Sequence, residues 1–332
     1  MNTESVFNSI KDIYNKSDIG TDSCIVVQGD SIETIKSIPD HSIALILTDP
    51  PYHSTKKHNI IGDTSFTTDT DYIKWMEQYA IEWKRVLKYN GSIFCFCSSA
   101  MSAQLQMMFS KYYNILSEIT WTKPNAPGYD GWKQKMKKEA LRQWYPHSER
   151  ILFMENSENG NLYKSHFGSQ LTKWRKLAHM STIQLAEITK SYGKVNHGGA
   201  IANWEAGRNI PSKEQYNALK NALSEAGVEN IPDYEDEIRP FNVSKNVEFT
   251  DVWTFENVRQ YRGKHPAEKP VDLLQHAIQT TTYEGDIVLD CFSGSGSTGV
   301  AAVRSNRRGI LLEIDPKWCI NAADRIQEEL IK

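Results

Sequence analysis

The fold is decided by Val288-Leu289-Asp290-Cys291-Phe292-Ser293-Gly294-Ser295-Gly296-Ser297-Thr298-Gly299, a segment that runs from an apolar strand through a glycine-rich turn into a helix. Its glycines satisfy the GxGxxG pattern of nucleotide-binding sheets. Glu313 closes the next apolar run about 20 residues further on, where an acid can bind ribose hydroxyls. The segment therefore predicts a Rossmann-like sheet with a nucleotide-containing ligand at the carboxyl ends of its strands.

The identity of this ligand is open between a nicotinamide dinucleotide and another nucleoside cofactor. The GxGxxG pattern alone favours the nicotinamide cofactor, and a tight turn that uses glycine only for packing is a further alternative. Asp290, followed by Phe292 and then the glycines, instead matches a cofactor with a cationic aminoacyl end and no pyrophosphate. S-adenosylmethionine fits that description, and we expect it as the cofactor.

Short apolar runs alternate with helical stretches along the chain, which is typical of an α/β sheet. The clearest helix covers residues 71–89, where apolar side chains recur at three- and four-residue steps until Asn90-Gly91. Two further helices are predicted at residues 270–281 and 297–304. Seven strands are predicted, near residues 24–27, 43–48, 92–97, 115–120, 150–154, 287–290 and 309–313.

The composition is that of a globular protein. Of 332 residues, 39% are hydrophobic and 24% are charged, which excludes general disorder. No apolar run approaches the roughly 20 residues that span a bilayer, and the N-terminus lacks the layout of a signal peptide, so we expect a cytoplasmic protein without a membrane partner. The five cysteines lack zinc-binding spacing, and neither a metal site nor a disulfide scaffold is predicted.

Charge varies by segment, although the net charge is only −3. Residues 164–225 carry an excess of five positive charges and residues 228–256 an excess of six negative charges. With its own helical periodicity, the basic segment predicts an inserted domain, and residues 123–146 before it predict a long functional loop. We expect three regions: the first half of the catalytic domain at 20–160, the insert at 161–235 and the cofactor-binding half at 236–332.

A second chemical signal is Asp49-Pro50-Pro51-Tyr52, directly after the apolar run 43–47. The prolines end the strand and lack N–H donors, which leaves their carbonyls free to accept hydrogen bonds from a ligand. Asp49 and the Pro50 carbonyl can each accept one hydrogen of an exocyclic amine, while Tyr52 stacks on the ring. A plain turn is the alternative, but an acid before the prolines and an aromatic after them favour a functional site.

These two segments, together with His265-Pro266-Ala267-Glu268-Lys269-Pro270, resemble the amino-methylating DNA methyltransferases. The catalytic tetrapeptide comes first and the cofactor glycines last, with an insert between them, an order similar to that of the β class. The resemblance covers residues 24–154 and 258–328. It implies a permuted, seven-stranded Rossmann-like methyltransferase sheet whose insert is a small α-helical target-recognition domain.

The resemblance also implies roles for individual residues. Asp49, Pro50, Pro51 and Tyr52 are implied as the catalytic residues that receive a flipped base. For the cofactor, Asp290 is implied near its amino group, Glu313 on its ribose, and Lys269 with Pro270 over its carboxylate. Asp30, in a Gly29-Asp30 pair, is implied near its adenine. The remaining cofactor-binding residues are Phe292, Ser293, Gly294, Gly296, Ser297 and Thr298.

A third signal, within the insert, is Ile201-Ala202-Asn203-Trp204-Glu205-Ala206-Gly207-Arg208-Asn209-Ile210-Pro211-Ser212, which is similar to the helix-turn-helix of Cro- and cI-type repressors. The predicted core residues are Leu185, Ala186, Ile201 and Trp204. The second helix of such a motif enters the major groove with its N-terminal part. The resemblance therefore implies base contacts for Asn196, His197 and Asn203 and phosphate contacts for Lys194 and Arg208. A helical bundle that only supports the catalytic domain is the alternative.

The sequence predicts a site-specific methyltransferase that acts on adenine N6 of a flipped base in double-stranded DNA. Asp at the first position of the tetrapeptide favours adenine in the family, and cytosine N4 is the runner-up. A DNA-binding regulator with an idle catalytic fold is the alternative from another class, whereas a protein-glutamine methyltransferase is disfavoured because it has Asn in place of Asp49. The expected partners are double-stranded DNA, a second copy in a homodimer and a cognate restriction endonuclease.

Overall fold

The computed structural model describes residues 3–14, 21–53, 66–124, 147–156, 165–193, 198–243 and 249–331, with the single positions 137, 139, 142 and 144. The helices of these residues are α1 (Thr3–Tyr14), α2 (Ser31–Ile35), α3 (Asp69–Val86), α4 (Ser102–Phe109), α5 (His166–Leu177), α6 (Thr182–Ile188), α7 (Gly199–Glu205), α8 (Lys213–Glu225), α9 (Tyr234–Glu237), α10 (Val271–Thr281), α11 (Ser297–Arg304) and α12 (Pro316–Ile331). The strands are β1 (Cys24–Gln28), β2 (Ile43–Thr48), β3 (Leu87–Cys97), β4 (Tyr113–Thr122), β5 (Ser148–Asn156), β6 (Val252–Thr254), β7 (Ile287–Asp290) and β8 (Arg308–Glu313).

These strands form one sheet in the order β1-β8-β7-β2-β3-β5-β4-β6. Neighbouring strands are parallel except at β5, which runs antiparallel to both β3 and β4. The other seven strands therefore end at one edge, which we call the carboxyl edge, and begin at the opposite amino edge. β5 starts at the carboxyl edge and ends at the amino edge.

The seven predicted strands are confirmed, and the described residues contain an eighth. β6 has three residues and pairs in parallel with the end of β4, from Thr120 to Thr122. The prediction of a seven-stranded sheet was therefore one strand short. A run of three residues is too short to show the alternation by which the other strands were found.

The helix predicted at 71–89 was wrong at its C-terminal end, because α3 stops at Val86. Leu87 is already extended and pairs with Ile43 of β2, so Asn90 and Gly91 lie inside β3 rather than at a helix stop. Strand pairing has overridden the local helical periodicity. The helix predicted at 270–281 is confirmed as α10, with Pro270 as its N-cap, and the helix at 297–304 is confirmed as α11.

Helices cover both faces of the sheet, which explains why the central strands are continuously buried. On one face, α1, α3 and α4 pack on a core that includes the fully buried Trp83. On the other face, α10 and α11 pack against Leu45 and Leu47 of β2. α12 covers β1 and β8 at the end of the sheet. The helices of this three-layer packing cover the faces of the sheet but not its carboxyl and amino edges.

Helices α5 to α9 form a unit with its own hydrophobic core, which we call the insert. Leu185, Ala186, Ile201 and Trp204, the predicted core residues, are buried there. α6 and α7 occupy the positions of the two helices of the predicted motif, and residues 194–197 between them lie outside the described residues, as does most of the predicted loop 123–146.

The basic charge of the insert is partly neutralised by acidic side chains near its C-terminal end. Lys213 pairs with Glu235, and Lys220 lies 2.8 Å from Asp233. Arg175 binds Glu205 within the insert at 2.6 Å. The segmental charge of the sequence therefore overstates the positive field of the folded insert.

Some properties of the described residues bear on chemistry outside the predicted site. The five cysteines are free and buried. Within the described ranges, no group of three or more His, Cys, Asp or Glu side chains is arranged to hold a metal ion. No helix of those ranges has the length and apolar character needed to cross a membrane.

Candidate active site

One large cavity lies at the carboxyl edge, with a volume of about 1400 Å³. Residues that follow β1, β2, β3, β7 and β8 line it, as does the start of β5. In parallel sheets, ligands bind at this edge because the connecting turns diverge there. The volume exceeds the roughly 300–1,000 Å³ of a typical small-molecule site, so it has room for two adjacent ligands.

Most of the predicted catalytic and cofactor residues meet in this one cavity. They are Asp30, Asp49, Pro50, Pro51, Tyr52, Lys269, Asp290, Phe292, Ser293, Gly294, Ser297, Thr298 and Glu313. Pro270 and Gly296 are not part of its lining. Residues from distant parts of the chain are thus brought together as the motifs predicted, while their individual roles stay predictions.

The Asp49 turn is tied directly to the glycine turn. Thr48, the last residue of β2, donates its hydroxyl to Asp290 Oδ1 at 2.8 Å and accepts the Cys291 N–H at 3.2 Å. β2 and β7 are adjacent parallel strands, so the turns after them start side by side. This contact fixes the distance between the two predicted halves of the site.

Asp49 has two oxygens in different environments. Oδ2 accepts a hydrogen bond from Lys269 Nζ at 2.6 Å. Oδ1 is buried and accepts no hydrogen bond of good geometry from the described residues, although the Tyr52 hydroxyl is close enough to the carboxylate to act to lower its pKa. A buried acceptor without a partner costs free energy, and such a group is expected where a ligand supplies the missing donor. Lys269 therefore fixes Asp49 through Oδ2, while Oδ1 can accept a hydrogen bond from a ligand.

Glu149, the second residue of β5, completes a charged cluster around Lys269. Its Oε2 lies 3.2 Å from Lys269 Nζ and accepts the Tyr52 hydroxyl at 3.0 Å. Its Oε1 pairs with Lys123. The Lys269 ammonium also lies 5.3 Å from the centre of the Tyr52 ring. One lysine thus bridges two carboxylates beside the predicted base-stacking ring.

The protonation of this cluster follows from burial and pairing. Burial raises the pKa of Asp49, and Glu149 adds to this, while Lys269 opposes it. Burial acts to raise the pKa of Glu149, but Lys269 and Lys123 overcome it and lower that pKa to about 2. Burial acts to lower the pKa of Lys269, but Asp49 and Glu149 raise it. The cluster therefore keeps Glu149 and Lys269 charged and makes Asp49 the better proton acceptor of the two acids.

Lys269, which is predicted to lie over the cofactor carboxylate, lines the cavity beside Asp49. Its ammonium binds Asp49 and Glu149 at the catalytic turn. Pro270 caps α10 and does not reach the cavity. The reason is that the backbone before α10 crosses the carboxyl edge beside β2, so a lysine at this position reaches the acid after β2.

Asp290 lies at the glycine turn, next to the turn that carries Asp49. It accepts hydrogen bonds from Thr298 Oγ1 at 2.6 Å and from the Phe292 N–H at 3.0 Å, besides that from Thr48. Burial raises its pKa to about 6, although these three hydrogen bonds act to lower it. A desolvated carboxylate that is still ionised near neutral pH is suited to bind a cation.

Glu313 closes the glycine turn from the end of β8. It accepts the Gly294 N–H at 2.7 Å and the Asp315 N–H at 2.9 Å. Gly294 has a φ of 48°, and a Cβ there would lie 3.1 Å from the His265 ring. Glycine is therefore required at position 294 both by backbone conformation and by the close approach of His265.

Gly296 has a different function from the predicted lining of the cofactor site. Its φ is 77°, and a Cβ there would lie 2.6 Å from the Ala322 Cβ of α12. Gly296 is the N-cap of α11, which must pass close to α12. The glycine pattern is thus present, but this member of it serves helix packing rather than the cavity.

An aromatic wall faces the glycine turn. The Phe292 ring lies 5.0 Å from the Tyr79 ring and 5.5 Å from the Trp75 ring, and the Tyr79 hydroxyl is 2.9 Å from Ser31 Oγ. Asp30 caps α2 by accepting the Ile32 N–H at 2.9 Å. This end of the cavity combines flat apolar surface with carboxylates, which fits a cationic nucleoside such as S-adenosylmethionine.

The segment 263–269 crosses this end of the cavity and is held from α12. Arg325 Nη1 donates to the Ser295 carbonyl at 2.7 Å, and Arg325 Nη2 lies 3.3 Å from Glu268. The His265 ring lies edge-on to Trp318 at 4.5 Å, and burial lowers its pKa to about 4. His265 is therefore neutral near pH 7 and packs against Trp318.

The predicted DNA-binding residues do not belong to this cavity. Arg208 is exposed just after α7 and donates to Asn203 Oδ1 at 3.1 Å. Lys194, Asn196 and His197 lie outside the described residues.

Sequence reasoning missed Glu149 and Lys123. Glu149 is an acid at the start of an apolar strand, and Lys123 directly follows β4. Neither belongs to a recognisable motif, and both reach the site only because β5 is antiparallel and inserted between β3 and β4. A charged residue bordering a buried strand was the signal that could have identified them.

Comparisons with known proteins find relatives of this chain and of its fold. Residues 43–324 match the N6/N4 methyltransferase family, described as DNA methylase. The DNA adenine methyltransferase YhdJ of Escherichia coli (strain K12) is 26% identical over 302 residues, which cover 90% of this chain and 81% of that protein. The type II methyltransferase M.HpaI of Haemophilus parainfluenzae is 24% identical over 311 residues, covering 92% of this chain and 74% of that protein.

Solved structures share the fold. The M1.HpyAVI complex with S-adenosylmethionine aligns with a TM-score of 0.52 at 17% identity, over 91% of this chain and 98% of that one. The cytosine-N4-specific PvuII DNA methyltransferase aligns with a TM-score of 0.53 at 16% identity, over 93% and 92% of the two chains. At such identities the likeness concerns the architecture alone.

Proposed function

The chain belongs to the N6/N4 DNA methylase family, and we propose that it transfers a methyl group from S-adenosylmethionine to adenine N6 of a flipped base in double-stranded DNA. The observation that carries this proposal is the hydrogen bonding of the two carboxylate oxygens of Asp49. One of its oxygens is held by Lys269 at 2.6 Å, while the other is buried and accepts no hydrogen bond of good geometry from the described residues. An exocyclic amino group supplies the missing donor.

The protein contributes mainly position and charge to this reaction. S-adenosylmethionine supplies the electrophilic methyl group. Asp49 Oδ1 and the Pro50 carbonyl accept the two amino hydrogens and hold the nitrogen lone pair out of ring conjugation. Tyr52 stacks on the base, and this stacking, of the order of 1–3 kcal/mol, offsets part of the cost of flipping. Asp49 then accepts the proton that the methylated nitrogen loses.

Lys269 and Glu149 orient Asp49 in this scheme. Lys269 holds Oδ2, so the carboxylate cannot rotate to bring both oxygens to the base. Glu149 holds Lys269 and the Tyr52 hydroxyl. Because burial and Glu149 raise the pKa of Asp49, its affinity for the amino proton is greater than that of an exposed aspartate.

The other end of the cavity suits the methyl donor. Asp290 would hold the cationic aminoacyl end, and Glu313 would hold the ribose hydroxyls. Phe292 would pack against the apolar part, and Asp30 would lie towards the adenine. Ser293, Gly294, Ser297 and Thr298 border the same space.

The insert is proposed as a DNA-binding element of the helix-turn-helix type. This proposal is supported by the burial of Leu185 of α6 and Trp204 of α7 in one core and by the exposure of Arg208 after α7. Relatives named as type II methyltransferases support a role beside a restriction endonuclease.

The test is to incubate the purified protein with unmethylated genomic DNA and S-adenosylmethionine, digest the DNA to nucleosides and identify the products by mass spectrometry. A reaction without the cofactor is the control. We expect N6-methyldeoxyadenosine. N4-methyldeoxycytidine would establish the runner-up acceptor. Cofactor binding without either product would contradict methylation and favour the idle-fold regulator.

A further inference from the structure

One lysine of the cavity wall, Lys264, forms no ion pair or hydrogen bond through its ammonium with the described residues. Two other lysines of the wall are paired at the catalytic turn. Lys269 binds Asp49 and Glu149, and Lys123 binds Glu149. Lys264 is half-buried, and a charge that is partly removed from water without a partner is unfavourable. This position therefore favours an anionic ligand.

Glu268, the acid on the same segment, does not pair with Lys264. Its Oε2 accepts the Tyr261 hydroxyl at 2.6 Å, and its Oε1 lies 3.3 Å from Arg325 Nη2. The Glu268 side chain is only 4% exposed, so both of its oxygens are committed to these two partners. Glu268 therefore holds the segment in place and leaves the ammonium of Lys264 without a bound carboxylate.

The backbone at Lys264 is fixed relative to the glycine turn. The Lys264 N–H donates to the Tyr261 carbonyl at 3.3 Å, and Gly263, with a φ of 85°, allows this tight turn. Arg325, which binds Glu268, also donates to the Ser295 carbonyl at 2.7 Å. Binding of an anion at Lys264 therefore needs little ordering of the backbone, which lowers the entropic cost of the contact.

Lys264 and His265 face different parts of the cavity, although they are neighbours in the sequence. The His265 ring faces the glycine turn, since a Cβ at Gly294 would lie 3.1 Å from it. Burial lowers the pKa of Lys264, and the positive charges of Lys123 and Lys269 add to this effect. Both of those lysines belong to the charged cluster at the catalytic turn. The Lys264 ammonium therefore lies on the catalytic side of the segment.

A basic strip leads from the surface to Lys264. Residues 257–264 contain Arg259, Arg262 and Lys264 and no acidic residue. Both arginines are exposed, and Arg259 lies 4.0 Å from the exposed Glu256, a pair that contributes little in water. A row of cations attracts a polyanion and raises its local concentration. The strip therefore fits a nucleic-acid backbone better than a single small anion.

A flipped nucleotide brings such an anion to the cavity. Its base is joined through the sugar to the backbone, so phosphates approach the cavity together with the base. The cofactor also has a carboxylate, but that group belongs to the aminoacyl end proposed at Asp290. Asp290 follows β7 and Lys123 follows β4, and the strands β2, β3 and β5 separate these two in the sheet. Since Lys264 lies within the influence of Lys123, its position favours the phosphate.

We propose that Lys264 binds a backbone phosphate of the DNA strand whose base enters the cavity. The proposal rests on the proposed function, because it concerns the strand that is methylated. The contact neutralises Lys264 and leaves Lys269 with Asp49 and Glu149. It holds the backbone beside the cavity while the base lies between Tyr52 and the methyl donor. A phosphate contact carries no sequence information, so it acts alike on every sequence that the protein binds.

The test compares three variants. Lys264→Gln removes the charge, and Lys264→Arg keeps it. Lys111→Gln is the matched control, because it removes the same charge at the opposite edge of the sheet. Lys111 precedes β4 and pairs with Glu77 at 2.8 Å on the surface. Thermal unfolding of each variant verifies that it is folded.

Two affinities are measured for each variant and for the wild type. The Kd for fragments of unmethylated genomic DNA is determined by filter binding between about 50 and 200 mM salt. The Kd for S-adenosylmethionine is determined by calorimetry. Methyl transfer by the wild type to the same fragments tests the proposed function separately. If no methyl group is transferred, the proposed function fails, while the affinities for DNA still decide the role of Lys264.

We expect Lys264→Gln to reduce the slope of log K for DNA against log salt by about 0.9, the value for one phosphate contact. The Kd for DNA should rise about eightfold at about 0.1 M salt, and methyl transfer at limiting DNA should fall by the same factor. Lys264→Arg and Lys111→Gln should stay within about twofold of the wild type, and the Kd for the cofactor should not change.

An unchanged salt slope in Lys264→Gln would overturn the proposal, as would an equal loss of DNA affinity in Lys111→Gln. Weaker cofactor binding with unchanged DNA affinity would also overturn it, because the anion at Lys264 would then be the cofactor carboxylate.

Discussion

The two edges of the sheet use charged side chains in opposite ways. At the carboxyl edge, Lys269 and Asp49 face a cavity, and one oxygen of Asp49 is left for a ligand. At the amino edge, Arg239 and Glu155 are about as well buried, but they face the insert and hold it in place. Burial of charge is therefore not by itself a sign of catalysis. The two edges differ in what surrounds their charged groups: a cavity at the carboxyl edge and the insert at the amino edge.

The largest effect should come from breaking the carboxyl-edge cluster with Lys269→Met. This change leaves Asp49 and Glu149 as neighbouring buried carboxylates, so the pKa of Asp49 rises further and its ionised form is lost at neutral pH. We expect methyl transfer at pH 7 to fall about 100-fold and the acid limb of the pH–rate profile to move to higher pH. Single-turnover rates across pH measure both effects.

The matched control for that prediction is the double variant with Glu149→Gln and Lys269→Met. It removes the second negative charge together with the lysine, so the acid limb should return towards lower pH. A profile that is the same in the wild type and Lys269→Met would show that Lys269 does not control Asp49.

The next largest effect is expected from alanine substitutions of the two glycines that flank β7. Gly296 at the carboxyl edge and Gly285 at the amino edge both have positive φ, but only Gly296 is closely approached, by Ala322. Gly296→Ala should lower the free energy of unfolding by about 2–4 kcal/mol and Gly285→Ala by about 1 kcal/mol. Denaturant titration of the cofactor-free variants measures the difference. Equal losses would contradict the packing role of Gly296.

A smaller effect, on cofactor binding, is expected when a change of pH protonates Asp290. Its pKa is about 6 because of burial, so the carboxylate loses its charge as the pH falls through that value. A neutral group no longer attracts the cationic end of S-adenosylmethionine, and the Kd for this cofactor should rise about fivefold from pH 6 to pH 5. Calorimetric titration of the wild type and Asp290→Asn tests this. The variant should bind more weakly and lack the pH step, and a step that persists would assign the titration to another group.

The smallest effect is expected at the surface of the insert. Lys220 and Asp233 form a solvent-exposed pair at 2.8 Å. Lys220→Ala should change the free energy of unfolding by less than about 1 kcal/mol. Thermal unfolding tests this, and a larger loss would mean that the exposed pair contributes to insert stability as the buried pairs do.

The comparison also shows what the sequence could and could not predict. Both turns at the carboxyl edge were predicted because each is a contiguous motif that follows an apolar strand. Lys269 was predicted in the site, but its ion pair with Asp49 was not, because the two residues are 220 positions apart in the sequence. Glu149 was missed because its place depends on the insertion of β5 between β3 and β4.

The same reasoning explains the errors in the prediction of the fold. β6 was missed because three residues show no periodicity, and the end of α3 was misplaced because Leu87 follows the helical pattern but pairs with Ile43. The insert was predicted from its helical periodicity and basic charge, but nothing local indicates the edge on which it docks. Tyr89 and Arg239 determine that edge, and their contacts exist only in the folded chain.

The most direct measurement is single-turnover methyl transfer by Asp49→Asn at saturating S-adenosylmethionine, alongside the Kd of the variant for that cofactor. We predict a rate at least about 100-fold below the wild type, because the neutral amide cannot accept the amino proton, with the Kd unchanged. A rate close to that of the wild type, or an equal loss of transfer and of cofactor binding, would contradict the assignment of Asp49 as the group that receives the amine.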